Sequence, residues 1–198
     1  MITLVDYRAG NLASVRKAFE HLGCEVEITE DPEVVRRARH IVVPGVGHFA
    51  ATEQLSRAGL TDVIREQIEK RANFLGICVG MQWMFEGSTE APEVSGLGVL
   101  SGMIERFPAG AKVPHVGWNQ VERRAESKIL AGVESPSFVY YTHSYRAPVT
   151  AETVGVTSYG DEFSGVVEKG NVFGIQFHPE KSGDAGLKML ENFARLAC

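Results

Sequence analysis

The feature that most constrains the fold of this 198-residue chain is a cysteine with a glycine two positions before it and another two positions after it. Residues 73–77 form an apolar segment typical of a buried strand, and residues 79–85 after the cysteine are typical of a helix. This is the context of a nucleophile elbow, in which a sharp strand-to-helix turn lifts the nucleophile above the carboxyl end of a sheet. Unpaired amides and the dipole at the start of the helix would favour a thiolate at Cys78.

A histidine and a glutamate separated by one residue lie near the other end of the chain, in Phe-His-Pro-Glu at residues 177–180. On an extended segment the side chains of His178 and Glu180 point the same way, so the carboxylate can hold one imidazole nitrogen while the other faces a thiol. Each residue alone has an ordinary interpretation, since a buried cysteine is usually a core residue and a lone glutamate a solvated charge. The joint pattern favours a nucleophilic triad of Cys78, His178 and Glu180.

Length, composition and charge narrow the class of protein. A chain of 198 residues that is 44% hydrophobic can bury one sizeable core, so residues 1–198 are predicted to form a single domain. The net charge of −5 argues against a nucleic-acid-binding protein. No apolar run approaches the length of a membrane span, so no membrane partner is expected.

The cysteines also carry information about cofactors and compartment. Cys24, Cys78 and Cys198 are odd in number, widely spaced and without a Cys-x-x-Cys pair, so neither a disulfide framework nor a zinc site is predicted. We expect no metal, no cofactor and a reducing, cytoplasmic location.

Strand-like and helix-like segments alternate in the first half of the chain. Alternation of this kind predicts right-handed crossovers and a doubly wound, mostly parallel sheet, whose ligands bind beyond the carboxyl ends of the strands. The loop Pro-Gly-Val-Gly at residues 44–47 lies at such an end. The predicted strands are 2–5, 24–28 and 41–43, and the predicted helices are 12–22 with Asn11 as N-cap, a short one opened at Asp31, and 52–71.

The second half is rich in glycine, proline and β-forming residues, which predicts an antiparallel extension of the same sheet rather than a separate domain. Residues 168–171 are predicted to form a hairpin turn between its last two strands. The predicted strands are 99–104, 116–121, 138–145, 153–157, 165–169 and 172–177, followed by a helix over 184–196.

Three motifs in this chain resemble the class I glutamine amidotransferase family: residues 76–82 around Cys78, residues 174–182 around His178, and the loop 44–47. The likeness spans the whole chain. Residues 6–12, 114–119 and 141–145 further resemble the glutaminase subunits of histidine biosynthesis. The resemblance implies a flavodoxin-like fold and hydrolysis of L-glutamine to glutamate and ammonia.

The resemblance also assigns roles in that reaction. It implies that Cys78 attacks the side-chain amide of glutamine, that His178 shuttles protons and that Glu180 orients the imidazole. The oxyanion would be held by the backbone amide of Val79 and by one from the loop, at Val46 or Gly47. The family suggests that this loop is misaligned until a partner binds, although a simple strand-to-helix turn explains its glycines equally well.

The expected contacts to glutamine come from the elbow helix and from two other segments. Gln82 lies one turn beyond Cys78 on the same helix. The resemblance adds four further contacts, which are Glu90, His143, Ser144 and Tyr145.

Ammonia loses its nucleophilicity when water protonates it, so a synthase must pass it on directly. This sequence contains no phosphate-cradling Gly-x-x-x-x-Gly-Lys loop for an acceptor substrate. The resembling family supplies a separate cyclase subunit, a (β/α)8 barrel, and Asn11, Trp118 and Lys181 match positions that face it. Trp118 could equally be an ordinary core aromatic.

Three alternative functions remain open on the sequence alone. The chain could be the glutaminase component of another synthase, such as pyridoxal phosphate or anthranilate synthase. It could be a non-catalytic regulatory module of the same fold, which the intact Cys78, His178 and Glu180 argue against. A cysteine hydrolase acting on peptides or aldehydes is disfavoured by the placement of the histidine so far beyond the elbow.

Overall fold

The computed structural model describes residues 1–197, which form twelve strands and six α-helices. The strands are β1 Ile2–Val5, β2 Val26–Thr29, β3 His40–Gly45, β4 Asn73–Cys78, β5 Gly87–Ser88, β6 Met103–Arg106, β7 His115–Arg123, β8 Ser137–His143, β9 Tyr145–Arg146, β10 Thr153–Tyr159, β11 Asp161–Lys169 and β12 Val172–Ile175. The helices are α1 Leu12–His21, α2 Pro32–Val35, α3 Glu53–Arg57, α4 Leu60–Glu69, α5 Val79–Trp83 and α6 Gly183–Ala194. Two 3-10 turns span Phe49–Thr52 and Pro179–Lys181.

Nine of these strands form one sheet in the order β2-β1-β3-β4-β12-β11-β10-β7-β8. The four strand pairs from β2 to β12 are parallel, and the four pairs from β12 to β8 are antiparallel. The predicted α/β fold, with a mostly parallel centre and an antiparallel extension, is confirmed. The strands β5, β6 and β9 form a second, small sheet.

The central strands are apolar because helices cover both faces of the sheet. All four residues of β1 and of β12 and all six of β4 are buried. On one face, Phe19 of α1 and Phe193 of α6 belong to the same buried cluster. On the other face, Ile64 of α4 and Trp83 of α5 belong to a second cluster.

Several local predictions differ from the structure. The strand predicted over 138–145 is divided at Ser144 into β8 and β9, which belong to different sheets. The helix predicted over residues 52–71 is broken at Gly59, whose φ of 72° ends α3 and begins α4; the apolar spacing continues across the break and could not reveal it. Strand β6 begins at Met103, later than predicted. Asn11 precedes α1 without a side-chain cap, whereas Asp31 accepts a 2.8 Å bond from the amide of Glu33.

The sheet brings the segments with candidate site residues together at the carboxyl ends of its central strands. Gly45, at the end of β3, pairs in register with Cys78, at the end of β4. Strand β12 lies on the other side of β4, so the residues that follow Ile175 emerge beside Cys78. None of the helices in residues 1–197 is both long enough and apolar enough to cross a lipid bilayer.

Candidate active site

Cys78 is the last residue of β4 and has a backbone conformation that L-residues rarely adopt, with φ 54° and ψ −109°. Backbone strain of this kind costs on the order of 1–3 kcal/mol and persists only where the surrounding structure enforces it. The strain therefore marks Cys78 as the turning point of the elbow.

The two flanking glycines are required for close packing rather than for unusual backbone angles. A Cβ atom on Gly80 would overlap the carbonyl oxygen of Val43, and one on Gly76 would lie 2.7 Å from the amide nitrogen of Met81. Neither glycine has a positive φ, whereas Cys78 itself does. Helix α5 is thus held against β3 and β4, with its first residue immediately after the cysteine.

His178 and Glu180 form a buried pair beside the elbow. The Nδ1 atom of His178 lies 3.0 Å from Oε1 of Glu180, and their side chains are 3% and 1% exposed. The other ring nitrogen, Nε2, and the second carboxylate oxygen, Oε2, have no hydrogen-bond partner among the described residues. Nε2 is therefore the ring atom left for the thiol or for a substrate.

The charge on His178 is set by its two neighbours. Burial is the largest single influence and lowers the pKa of the imidazole, but the combined effects of Cys78 and Glu180 outweigh it and raise the pKa to about 10. A buried imidazolium is favoured here because the side chains of Cys78 and Glu180 both interact favourably with the charged ring. At neutral pH the ring is thus ready to donate a proton.

A cavity of about 230 Å³ opens over Cys78 and His178. Residues from five separated stretches of the sequence line it. The predicted site residues that line it are Val46, Gly47, Cys78, Val79, Gln82, Glu90, His143, Ser144, Tyr145 and His178. Glu180 lies behind His178, outside the lining.

Gln82 and Glu90 reach the cavity in different ways. The Nε2 atom of Gln82 donates to the carbonyl oxygen of Tyr145 at 3.0 Å and to Oε1 of Gln176 at 3.1 Å. Glu90 accepts a 2.7 Å bond from the backbone amide of Phe49. Its carboxylate therefore links the segment that follows the loop 44–47 to the cavity wall, which favours a role beyond that of a solvated charge.

The loop of residues 44–47 lies beside the elbow. Val79 is the first residue of α5, so its amide has no partner within the helix. Gly47 has a φ of 91° and nothing within 4 Å of a Cβ built on it, while Val46 is 39% exposed. Because α5 has only five residues, its dipole is that of little more than one turn.

His143 belongs to a buried aromatic cluster, with its side chain at the cavity wall. Its Nδ1 lies 2.8 Å from the carbonyl oxygen of Tyr145, and its Nε2 lies 3.0 Å from Nδ1 of His115. Burial lowers the pKa of His143 to about 3 and that of His115 to about 4. Both rings are neutral at pH 7, so His143 is suited to fixing the backbone of Tyr145 and not to general-base work.

The three residues predicted to face a partner lie around the same edge. Trp118 is 57% exposed, which overturns its interpretation as a core aromatic. The ring centroids of Trp118 and Tyr140 are 6.0 Å apart. The amine of Lys181 lies 5.7 Å from the centroid of the same Tyr140 ring. Asn11 lines a narrow cleft together with Val46 and Glu180.

Sequence reasoning missed three residues in this centre, namely Pro114 and Thr142, which line the cavity, and Gln176. Gln176 is fully buried beneath Cys78, and its Nε2 lies 3.8 Å from the sulfur. The available signal was its position, one residue beyond the end of β12 and two residues before His178. Within residues 1–197, no group of three or more His, Cys, Asp or Glu side chains is arranged to hold a metal ion.

The fold and the site together are those of a cysteine-dependent amidotransferase. The family model of class I glutamine amidotransferases matches residues 3–197, and the chain belongs to this family. It is accordingly an enzyme of the glutamine amidotransferase class.

Among curated proteins, the chain is similar over nearly its whole length to subunits of one particular synthase. The chain is 45% identical over 198 residues to the imidazole glycerol phosphate synthase subunit HisH of Moorella thermoacetica, covering 98% of this chain and 94% of the relative. It is 44% identical over 195 residues to the subunit of the same name from Bacillus cereus, covering 98% and 93%.

Solved structures agree in fold at much lower identity. A crystal structure of a glutamine amidotransferase superposes with a TM-score of 0.77 at 21% identity, covering 98% of this chain and all of the other. The glutaminase domain of Trypanosoma brucei CTPS with bound acivicin gives a TM-score of 0.69 at 18% identity, covering 100% and 94%. At these identities the likeness concerns the fold alone.

Proposed function

We propose that this chain is the glutaminase subunit of an imidazole glycerol phosphate synthase, which hydrolyses glutamine and passes the ammonia to a cyclase subunit in histidine biosynthesis. The observation that carries the proposal is the buried His178–Glu180 pair beside Cys78, in a cavity whose walls come from the motifs of this family. The extensive similarity to HisH subunits supports the particular synthase.

The triad accounts for the chemistry in two stages. The thiolate of Cys78 attacks the side-chain amide carbon of glutamine, and the imidazolium of His178 gives its Nε2 proton to the leaving nitrogen, which departs as ammonia. A glutamyl thioester remains on Cys78. Neutral His178 then takes a proton from water, whose oxygen attacks the thioester and releases glutamate, while Glu180 keeps the ring oriented throughout.

The oxyanion formed at each stage needs preorganised donors. Val79 supplies one backbone amide directly after the nucleophile, and the loop at Val46 and Gly47 supplies the second. Losing one such donor typically costs about 3 kcal/mol, so the loop conformation can change the rate by roughly a hundredfold. This makes the loop the natural target of control by a partner.

The partner would dock on the outer face of the β7–β8 pair. Register places Trp118 opposite Tyr140 and Gln120 opposite Phe138. Trp118, Phe138 and the neighbouring Val116 are each more than half exposed, at 57%, 58% and 56%. An apolar patch of this kind on a sheet face is typical of a protein–protein interface.

The direct test is glutamate release from glutamine by the purified chain, alone and with the cyclase subunit and its aminoimidazole nucleotide ligand. We expect strong activation in the complete mixture and none with Cys78→Ser. Persistence of activity in Cys78→Ser would exclude the triad. Turnover that ignores the cyclase but responds to another co-purifying synthase component would reassign the chain to that synthase.

A further inference from the structure

Gln176 has no assigned role, yet it occupies the position beneath the nucleophile. It follows β12, which pairs in parallel with β4 so that Ile175 lies beside Ile77, and the next residues along the two strands are Gln176 and Cys78. Gln176 is fully buried and does not line the cavity. It therefore contacts the sulfur from the protein interior and not from the cavity.

The polarity of the hydrogen bonds around Gln176 is fixed by a backbone carbonyl. The oxygen of Tyr145 can only accept, so Gln82 must direct its NH2 group toward it, at 3.0 Å. The same NH2 group lies 3.1 Å from Gln176, which must present its oxygen there. The NH2 group of Gln176 consequently faces Cys78 Sγ, at 3.8 Å.

This orientation suits a thiolate. A negatively charged sulfur accepts hydrogen bonds, and a hydrogen bond to the charged form of a group favours that form. The carbonyl oxygen of Tyr145, which orients Gln82, also contacts Nδ1 of His143 at 2.8 Å. This second contact holds the carbonyl in place. Both hydrogens of the Gln82 amide are used, so its Oε1 remains as an acceptor at the cavity wall.

We propose that Gln176 is a positioning residue that holds the Cys78 thiolate from beneath through an N–H···S contact, with an amide orientation dictated by the Tyr145 carbonyl through Gln82. The inference rests on Cys78 being the nucleophile of the proposed function. It adds a third contact to the sulfur's surroundings, alongside His178 and the start of α5.

The test is the pH dependence of Cys78 alkylation by iodoacetamide, followed by peptide mass spectrometry so that Cys24 and Cys198 are counted separately. Because a hydrogen bond to a charged group is worth more than a neutral one, we expect Gln176→Met to raise the pH midpoint of alkylation by about half to one unit. Gln176→Glu retains the acceptor for Gln82 but places an acceptor oxygen at the sulfur, so its midpoint should rise further.

The matched control is Gln67→Met, the same change at a buried glutamine of α4 that does not line the cavity. Its alkylation midpoint should equal that of the wild type. A Gln176→Met protein with wild-type circular dichroism and a wild-type alkylation midpoint would overturn the proposal. Alkylation of Cys78 does not require turnover of glutamine. If the wild type is inactive but Gln176→Met still raises the alkylation midpoint, the proposed function is wrong and the Gln176–Cys78 contact is retained.

A measurement on the wild type covers the case in which the Gln176 variants do not fold. In protein labelled with 15N at glutamine side chains, one buried NH2 resonance should move with the same pH midpoint as the alkylation of Cys78. The movement should vanish in Cys78→Ser. If no glutamine side-chain resonance follows that midpoint, Gln176 does not contact the ionising sulfur and the proposal is wrong.

Discussion

The Nδ1 atom of His178 lies 3.0 Å from Oε1 of Glu180 in surroundings that leave the two side chains only 3% and 1% exposed. A buried carboxylate is costly unless a cation compensates it, and here the compensating cation is the imidazolium. Removing one partner of such a pair leaves the other uncompensated. The pair is therefore sensitive to the loss of either charge.

Glu180→Gln keeps the size of the side chain and removes its charge. Because Glu180 is one of the groups that raise the pKa of His178 to about 10, that pKa should fall in the variant. We expect kcat for glutamine hydrolysis to fall by about a hundredfold or more. NMR titration of the His178 ring in wild type, Glu180→Gln and Cys78→Ser measures the effect, and equal ring titration in all three would contradict the assignment.

Gly47→Ala tests the proposed oxyanion loop by changing its backbone preference without creating a steric clash. A Cβ on Gly47 meets nothing within 4 Å, but the φ of 91° is strained for alanine, at a cost of about 1–2 kcal/mol. The loop should relax to another conformation, so kcat should fall about tenfold or more with a smaller change in KM. Steady-state kinetics with the cyclase subunit present measures both.

The control for this variant is Gly23→Ala, where φ is 77° and a Cβ likewise meets nothing within 4 Å. It should show a similar loss of stability in urea denaturation and unchanged kcat. A matching fall of kcat in both variants would mean that strain acts through global stability, not through the loop.

Trp118→Ala tests the docking face. The side chain is 57% exposed, so its loss should cost little folding stability, whereas buried aromatic anchors at interfaces contribute about 2 kcal/mol or more. We expect the Kd for the cyclase subunit, measured by calorimetry, to rise by about thirtyfold. Ile28→Ala, on β2 at the opposite edge of the sheet, should leave the Kd unchanged.

His143→Asn tests the neutral histidine pair. The pKa of His143 is lowered to about 3 in the folded protein, against 6.5 unperturbed, so the unfolded state binds more protons between these values. Folding stability is therefore lost as pH falls through this window, by up to about 2 kcal/mol per histidine between pH 7 and pH 5. Urea denaturation at both pH values should show a smaller loss in His143→Asn, and an unchanged loss in a variant of the exposed His21.

The fold was largely predictable because its signals are periodic. Apolar segments alternating with helical patterns predicted the parallel centre of the sheet, and the β-rich second half predicted its antiparallel extension. The break at Gly59 was not predictable from the apolar spacing, because that spacing continues from α3 into α4. Only the backbone of Gly59, which is in the left-handed conformation, marks the break.

Some features of the candidate site could also be predicted from the sequence, and others could not. The spacing of His178 and Glu180 predicted their pairing on an extended segment. The pair is present, but Glu180 lies in the 3-10 turn Pro179–Lys181, so the turn and not an extended strand brings the carboxylate to the ring. The contacts of Gln176 and Glu90 could not be predicted, because each depends on a partner brought close by the fold. Gln176 is oriented by a carbonyl on β9, and Glu90 meets the amide of Phe49 across the cavity rim.

The most direct test of the account is to trap the covalent intermediate. Wild-type protein mixed with glutamine and the cyclase subunit is quenched in acid within the first turnover, and its peptides are mapped by mass spectrometry. We predict a glutamyl adduct on the peptide that contains Cys78, accumulating further in Glu180→Gln if thioester hydrolysis becomes limiting, and absent in Cys78→Ser. Active enzyme that forms an adduct on Cys24 instead, or that retains turnover in Cys78→Ser, would contradict the account.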